Sequence, residues 1–361
     1  MDIDPEKFKN KKIVIMAGGT GGHVFPALAV ARKLSSNGAI VFWLGTALGI
    51  EAKLIPQEFE IDYIKVKGLR NKGLVKKISF PFSLIHAVLQ AKNILKKRKA
   101  DLVIGFGGYA SGPGGLAAYL SKIPLVLHEQ NAIPGMTNKY LSKIAKVTLL
   151  AFDYRKFGKN PKVVGNPLRS DIVQLAKQAK SFNQDKLNIL VVGGSLGAKA
   201  LNDIVPEALK LMTGKNISVI HQSGEKLLDE TNANYNGLSI DYQVQKFIDD
   251  MSKAYEWADL IICRSGASTV SEVAAVGLPA IFVPYPHAVD DHQFYNAKFL
   301  VDSGAAICVR QSGLSADKLK KRLEDFLFHS EKLKDMSDKL KQLSILDSAE
   351  RVMVEASNYI K

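Results

Sequence analysis

His23 follows Gly18-Gly19-Thr20-Gly21-Gly22, just after the apolar run Ile13-Val14-Ile15 and ahead of a stretch rich in Ala, Leu and Val. Imidazole is the side chain whose ordinary pKa suits proton removal near neutrality, so His23 is a candidate general base. A histidine there also suits a structural role, capping the next helix or bonding a neighbouring carbonyl. The glycines leave backbone amides approachable ahead of a helix N-terminus, which favours an anion. Neither standard phosphate signature fits, however. A dinucleotide fingerprint starting at Gly19 needs glycine where Val24 stands, and a P-loop starting at Gly18 meets His23-Val24-Phe25 where Gly-Lys-Ser/Thr belongs.

Similar chemistry recurs along the chain. "NILVVGGSLGAKALN" (188–202) repeats the opening order of apolar strand, glycine loop and helix. "GFGGYASGPGGLAAYL" (105–120) reads either as glycines permitting tight packing or as a wall that a bulky substrate can approach. His128, Glu129, Gln130 and Asn131 follow at the end of a strand, where a polar run is expected to face a ligand. In "ADLIICRSGASTVSEVAAVGLPAIFVPYP" (258–286), the segment Thr269-x-x-Glu272 fits a capping box. Alternatively, a diphosphate sits on the helix start after Arg264-Ser265-Gly266 and Glu272 accepts sugar hydroxyls. Asp290, Asp291 and His292 are consecutive and cannot readily converge on one ion, so no metal is expected at "HAVDDHQFYNAKFL".

The elements that must carry these residues alternate between apolar runs and helical periodicity, which predicts α/β architecture with parallel sheets. Strands are expected at Lys12–Met16, Ile40–Leu44, Leu102–Gly105 and Leu125–His128. The repeated glycine grammar predicts two doubly wound domains in 361 residues, with a polar linker over 170–187 and a ligand cleft between them. The two cysteines, Cys263 and Cys308, are too few for a disulfide framework and suggest a reducing compartment. The N-terminus does not read as a signal peptide, and no apolar stretch approaches the ~20 residues of a spanning helix.

The formal net charge of +14 asks for a polyanionic partner: nucleic acid, an anionic lipid surface or phosphorylated substrates. Between Asp62 and Asp101 there is no acidic residue, yet the interval holds eleven Lys or Arg around the apolar "ISFPFSLIHAVL" (78–89). It reads either as a solvated basic helix or as a face for anionic membrane, with Phe80, Phe82, Leu84 and Ile85 inserting and Lys72, Lys76 and Lys77 on headgroups.

"GGTGGHVFPALAVA", "GFGGYASGPGGLAA", "LHEQNAIPG", "GNPLR", "VVGGSLGAKALN", "FIDDM" and "CRSGASTVSEVAAVGLPAIFVP" together resemble the MurG family, from about residue 12 to at least 300. The resemblance implies a GT-B fold, two Rossmann-like doubly wound domains separated by a deep cleft. It places an acceptor- and membrane-binding domain at 1–166 and a UDP-GlcNAc-binding domain at 167–361, with the last helix free to return to the first. It implies an inverting transfer of N-acetylglucosamine from UDP-GlcNAc to the muramyl 4-hydroxyl of lipid I, giving lipid II of peptidoglycan.

By motif, Thr20, Gly21 and Gly22 would meet the donor sugar and diphosphate from across the cleft, and Asn131 the sugar. Arg169 and Ser195 would serve the nucleotide and its phosphates, and the Ile248 backbone would meet uracil. Ala267, Ser268, Thr269, Val270 and Ser271 would form the phosphate-binding helix start, with Glu272 on the ribose and Gln293 on sugar hydroxyls. "YPHAVDDHQ" departs modestly from the family's pattern. His23 is the candidate base, and neither cofactor nor metal is expected.

The enzyme is expected to work peripherally on the cytoplasmic face of the cell membrane without binding nucleic acid. Three rivals stand beside this reading. An NAD-dependent oxidoreductase would need the missing fingerprint. A UDP-sugar epimerase of the same fold would not need the basic-apolar surface. A nucleic-acid binder would leave the glycine motifs without a task.

Overall fold

A computed structural model describes residues 5–66, 74–153, 157–182 and 186–360, with the side chains of Pro5 and of residues 74–80 not described. The chain forms two compact units, residues 1–169 with 347–361, and residues 170–346. The division falls after Arg169, so the segment Gly165–Arg169 closes the first unit.

The first unit is a seven-stranded parallel sheet of β1 (Lys12–Ala17), β2 (Ile40–Gly45), β3 (Glu60–Tyr63), β4 (Leu102–Gly107), β5 (Leu125–Glu129), β6 (Val147–Leu150) and β7 (Pro161–Val163). Its order is β3-β2-β1-β4-β5-β6-β7. The crossovers carry α1 (Gly21–Ser36), α2 (Glu51–Leu54), α3 (Leu74–Arg98), α4 (Ser111–Leu120) and α5 (Met136–Leu141). β1 is a continuous apolar run because both of its faces are covered. Ile13, Ile15 and Ala17 enter one core and Val14 and Met16 the other, as a strand sandwiched between helix layers requires.

The second unit begins with α6 (Ser170–Ala176), where the sequence suggested linker, and holds a six-stranded parallel sheet. Its strands are β8 (Leu187–Val192), β9 (Ile217–Gln222), β10 (Asp241–Gln245), β11 (Leu260–Cys263), β12 (Ala280–Phe282) and β13 (Ile307–Cys308), ordered β10-β9-β8-β11-β12-β13. The helices are α7 (Lys199–Lys210), α8 (Leu228–Tyr235), α9 (Met251–Trp257), α10 (Ala267–Val276), α11 (His292–Asp302), α12 (Ala316–Phe328) and α13 (Ser330–Leu343). The last helix, α14 (Ser348–Ser357), belongs to the first unit. Its Val352, Met353 and Ala356 are buried in one cluster with Val24, Ala27 and Val30 of α1, and Lys33 pairs with Glu350 at 2.6 Å.

Each sheet runs outward in both directions from a central pair, β1/β4 in the first unit and β8/β11 in the second. Ligands of open α/β sheets bind beyond the strand ends at such switch points. The glycine stretches after β1, β4, β8 and β11 therefore lie where each unit can hold a ligand.

On α3, Phe82, Ile85 and Leu89 are exposed, at 75%, 58% and 54%. Leu84, expected to insert with them, instead packs against the core. Lys72 and the side chains of Lys76, Lys77 and Phe80 lie outside the described residues. Arg98, counted in the basic interval, is taken up by β3: it pairs with Glu60 and Asp62, both at 2.7 Å, and covers the Phe42 ring. Among the described residues, no helix is long and apolar enough to cross a membrane.

Candidate active site

The loop from β1 into α1 puts Thr20 at the helix N-cap position, where it is exposed, and Gly21, Gly22 and His23 in the first turn, half-buried. His23 Nδ1 lies 3.0 Å from the Gly18 carbonyl oxygen and 3.3 Å from Thr20 Oγ1. A carbonyl can only accept, so Nδ1 carries the proton, and the lone pair of the neutral ring is on Nε2. The neighbouring-carbonyl bond considered as His23's structural role is thus present, and it leaves the base chemistry to the other nitrogen. Gly107, at φ +105°, backs the ring so closely that a Cβ there would come within 3.1 Å of Nε2. Gly108, at φ +91°, brings the loop after β4 against Gly18, with room for no side chain.

The polar run at the end of β5 differs from expectation. His128, Glu129 and Gln130 are buried and bond inward instead of facing a ligand. His128 Nε2 meets the Gly165 carbonyl at 2.9 Å, and burial lowers its pKa to about 4. Glu129 accepts from Asn131 N and Nδ2 (3.0 and 3.2 Å), from Gly135 N and from Asn138 Nδ2 (both 3.0 Å). Burial still raises its pKa, against the pull of those donors. Asn131, half-buried, is therefore held in place by Glu129. The Arg169 guanidinium lies 5.8 Å from the centre of the Phe25 ring of α1, so "GNPLR" joins the same unit as His23.

In the second unit, Ser195 is exposed on the loop after β8. Gln222, buried at the end of β9, donates to the Gly194 carbonyl at 2.9 Å and accepts from the Ile248 amide at 3.0 Å. One side chain thus ties the glycine loop to "FIDDM". At the head of α10 the N-cap position is Gly266, with no side-chain cap. The capping-box reading of Glu272 does not hold, because the helix begins at Ala267 and Thr269 is already in its first turn. Glu272 instead accepts from the Tyr255 hydroxyl of α9 at 2.9 Å.

Ala267 and Val270 of this helix are buried, while Ser268, Thr269 and Ser271 are half-buried. The hydroxyls of Ser265 and Ser268 are buried without a hydrogen bond among the described residues. Gln293, in the first turn of α11, accepts from the Tyr285 amide at 2.9 Å. The loop before it holds Asp290 and Asp291 at φ +51° and +54°, left-handed values that cost a non-glycine residue energy and concentrate at functional loops.

The structure therefore brings Thr20, Gly21, Gly22 and His23 to one switch point, and Ser195 and the start of α10 to the other. Gln222 and Tyr255, which organise these residues, carried no spacing signal in the sequence.

Two Rossmann-like units of this order form the architecture of the GT-B glycosyltransferases. Residues 13–150 match the glycosyltransferase family 28 N-terminal domain and residues 188–352 the C-terminal domain. The chain is 51% identical to the UDP-N-acetylglucosamine–N-acetylmuramyl-(pentapeptide) pyrophosphoryl-undecaprenol N-acetylglucosamine transferase of Shewanella frigidimarina, over 94% of this chain and 95% of the relative. It is also 51% identical to the enzyme of the same name from Shewanella halifaxensis, over 95% and 96%. The crystal structure of Acinetobacter baumannii MurG superposes with a TM-score of 0.81 at 42% identity, covering 96% of this chain and 99% of that one. The chain belongs to the MurG family. A UDP-N-acetylglucosamine 2-epimerase shares the fold alone, at 13% identity and a TM-score of 0.67 over 96% of this chain and 95% of its own.

Proposed function

We propose that the chain is the inverting hexosyltransferase that moves N-acetylglucosamine from UDP-N-acetylglucosamine to the muramyl 4-hydroxyl of lipid I, forming lipid II for peptidoglycan. The identity of about one residue in two to transferases of that name, over nearly the whole chain, carries this reading. The acceptor lies on the first unit and the donor nucleotide on the second. The 4-hydroxyl oxygen attacks C1 of the donor sugar, its proton passes to His23 Nε2, and the C1–O bond to the diphosphate breaks with its electron pair leaving on UDP.

The amides at the head of α10, with the buried hydroxyls of Ser265 and Ser268, receive the charge growing on that diphosphate without reorganising. Thr20, Gly21, Gly22, Asn131 and Gln293 serve the sugars, Arg169 and Ser195 the phosphates, and Glu272 the ribose. Ile248 reads uracil through its carbonyl, since its amide is bonded to Gln222. The enzyme works peripherally, at the cytoplasmic face of the membrane, with the exposed apolar residues of α3 on anionic lipid; nucleic acid is not a partner.

The test is an assay of purified protein with UDP-N-acetylglucosamine and a lipid I analogue. Release of UDP that requires the acceptor, with a β-linked disaccharide product, is expected. Inversion of the sugar C2 without an acceptor would mean an epimerase instead.

A further inference from the structure

Glu51, at the start of α2, is 1% exposed, and its carboxylate fills a cradle built from glycine. A Cβ at Gly18, Gly45 or Gly49 would each fall within 3.0 Å of its side chain. One carboxylate oxygen accepts from Thr46 N at 2.8 Å and Thr46 Oγ1 at 2.7 Å. The other accepts from Gly19 N at 3.3 Å. That amide belongs to the same peptide group as the Gly18 carbonyl, to which His23 Nδ1 donates at 3.0 Å. A carboxylate, one peptide group and the imidazole therefore form a single hydrogen-bonded line.

We propose that Glu51 is a positioning residue for His23. Through the Gly18–Gly19 peptide it fixes the imidazole tautomer that leaves Nε2 to accept a proton, and it stabilises the imidazolium so formed. The inference rests on the reading of His23 as the base.

The physical reason lies in the helix. His23 sits in the first turn of α1, where the free amides present positive charge and disfavour an imidazolium. A carboxylate hydrogen-bonded to the far end of the peptide polarises it, making the Gly18 oxygen a stronger acceptor for Nδ1–H. This resembles the logic by which an acid orients a catalytic histidine directly, with a peptide group interposed. During transfer the acceptor proton passes to Nε2, and Nδ1 keeps its own proton on Gly18 O. Another carboxylate, Glu129, reaches this neighbourhood through Asn138, whose side-chain nitrogen lies behind Gly107.

The experiment is an NMR titration of the His23 ring, assigned by comparison with His23→Gln, in the parent and in Glu51→Gln. The pH profile of kcat is measured in parallel. In Glu51→Gln the His23 midpoint and the acid limb of kcat are both expected to move down by about one pH unit, with kcat on the plateau falling about tenfold. An unmoved His23 midpoint in folded Glu51→Gln overturns the proposal, whatever the activity does. If Glu51→Gln does not fold, Thr46→Val decides: it removes one donor from the same carboxylate, so the midpoint must shift. A midpoint unmoved there is equally fatal. Near-normal turnover in His23→Gln would instead remove the base reading itself, while the NMR shift still reports the coupling.

Discussion

Tyr255 donates to Glu272 from a position 1% exposed, and Glu272 is itself 9% exposed. A carboxylate this enclosed is turned by its neighbours, so the ribose contact proposed for Glu272 depends on Tyr255. Glu272→Ala is expected to weaken UDP binding and, by taking this acceptor from the enclosed Tyr255 hydroxyl, to cost ~1–3 kcal/mol of stability as well. Tyr255→Phe keeps the charge and removes a hydrogen bond to it, an interaction worth ~1.5–3 kcal/mol. KM for UDP-N-acetylglucosamine should therefore rise about tenfold or more with kcat little changed. If steady-state kinetics show an unaltered KM and calorimetry a lower melting temperature, the bond serves only the fold.

The glycine-rich loops at the switch points were legible because each follows an apolar strand and precedes a helix, a local order that needs no tertiary information. The supports of those loops were not. Glu51 meets Gly19 across 32 positions and Gln222 meets Ile248 across 26, and no periodicity links residues brought together by parallel crossovers. His128, Glu129 and Gln130 misled for a related reason: a polar run at a strand end looks solvent- or ligand-facing until the carbonyls and amides that satisfy it are in place. A basic helix was one of two readings of α3, and only its fold against the sheet separates inward Leu84 from outward Phe82, Ile85 and Leu89. If that outward face docks on lipid, Phe82→Ser with Ile85→Ser should weaken flotation with anionic vesicles by roughly tenfold to a hundredfold, with UDP binding intact. Equal flotation of the double variant and its parent would exclude this face of α3 as the docking surface.

Each unit buries one neutral histidine, and each makes that unit's stability depend on acid. His128 in the first unit titrates at about 4 and His221 in the second at about 3, in both cases because burial disfavours the imidazolium. His221 spends its ring nitrogens on the Tyr235 hydroxyl (2.9 Å) and the Asn202 side-chain oxygen (3.0 Å). In the unfolded chain both rings titrate near the ordinary 6.5. Below 6.5 the unfolded chain therefore binds more protons than the folded one, and stability falls as pH drops towards the folded-state values. Above 6.5 the contribution is complete and flat. Each histidine supplies a slope of up to ~1.4 kcal/mol per pH unit inside its window. In the first unit Glu129 acts in the opposite sense, since burial raises its pKa and favours its protonated form as pH falls. In the second unit Asp259, also raised by burial, offsets His221 near the acid end. The two tryptophans report the units separately, Trp43 in β2 and Trp257 at the end of α9. Urea unfolding followed through Trp257 in a Trp43→Phe background should show a midpoint that falls between pH 6.5 and 4.5, and His221→Gln should flatten that fall. A midpoint independent of pH over this interval, in the parent protein, would mean that His221 is already protonated or reached by water in the folded state.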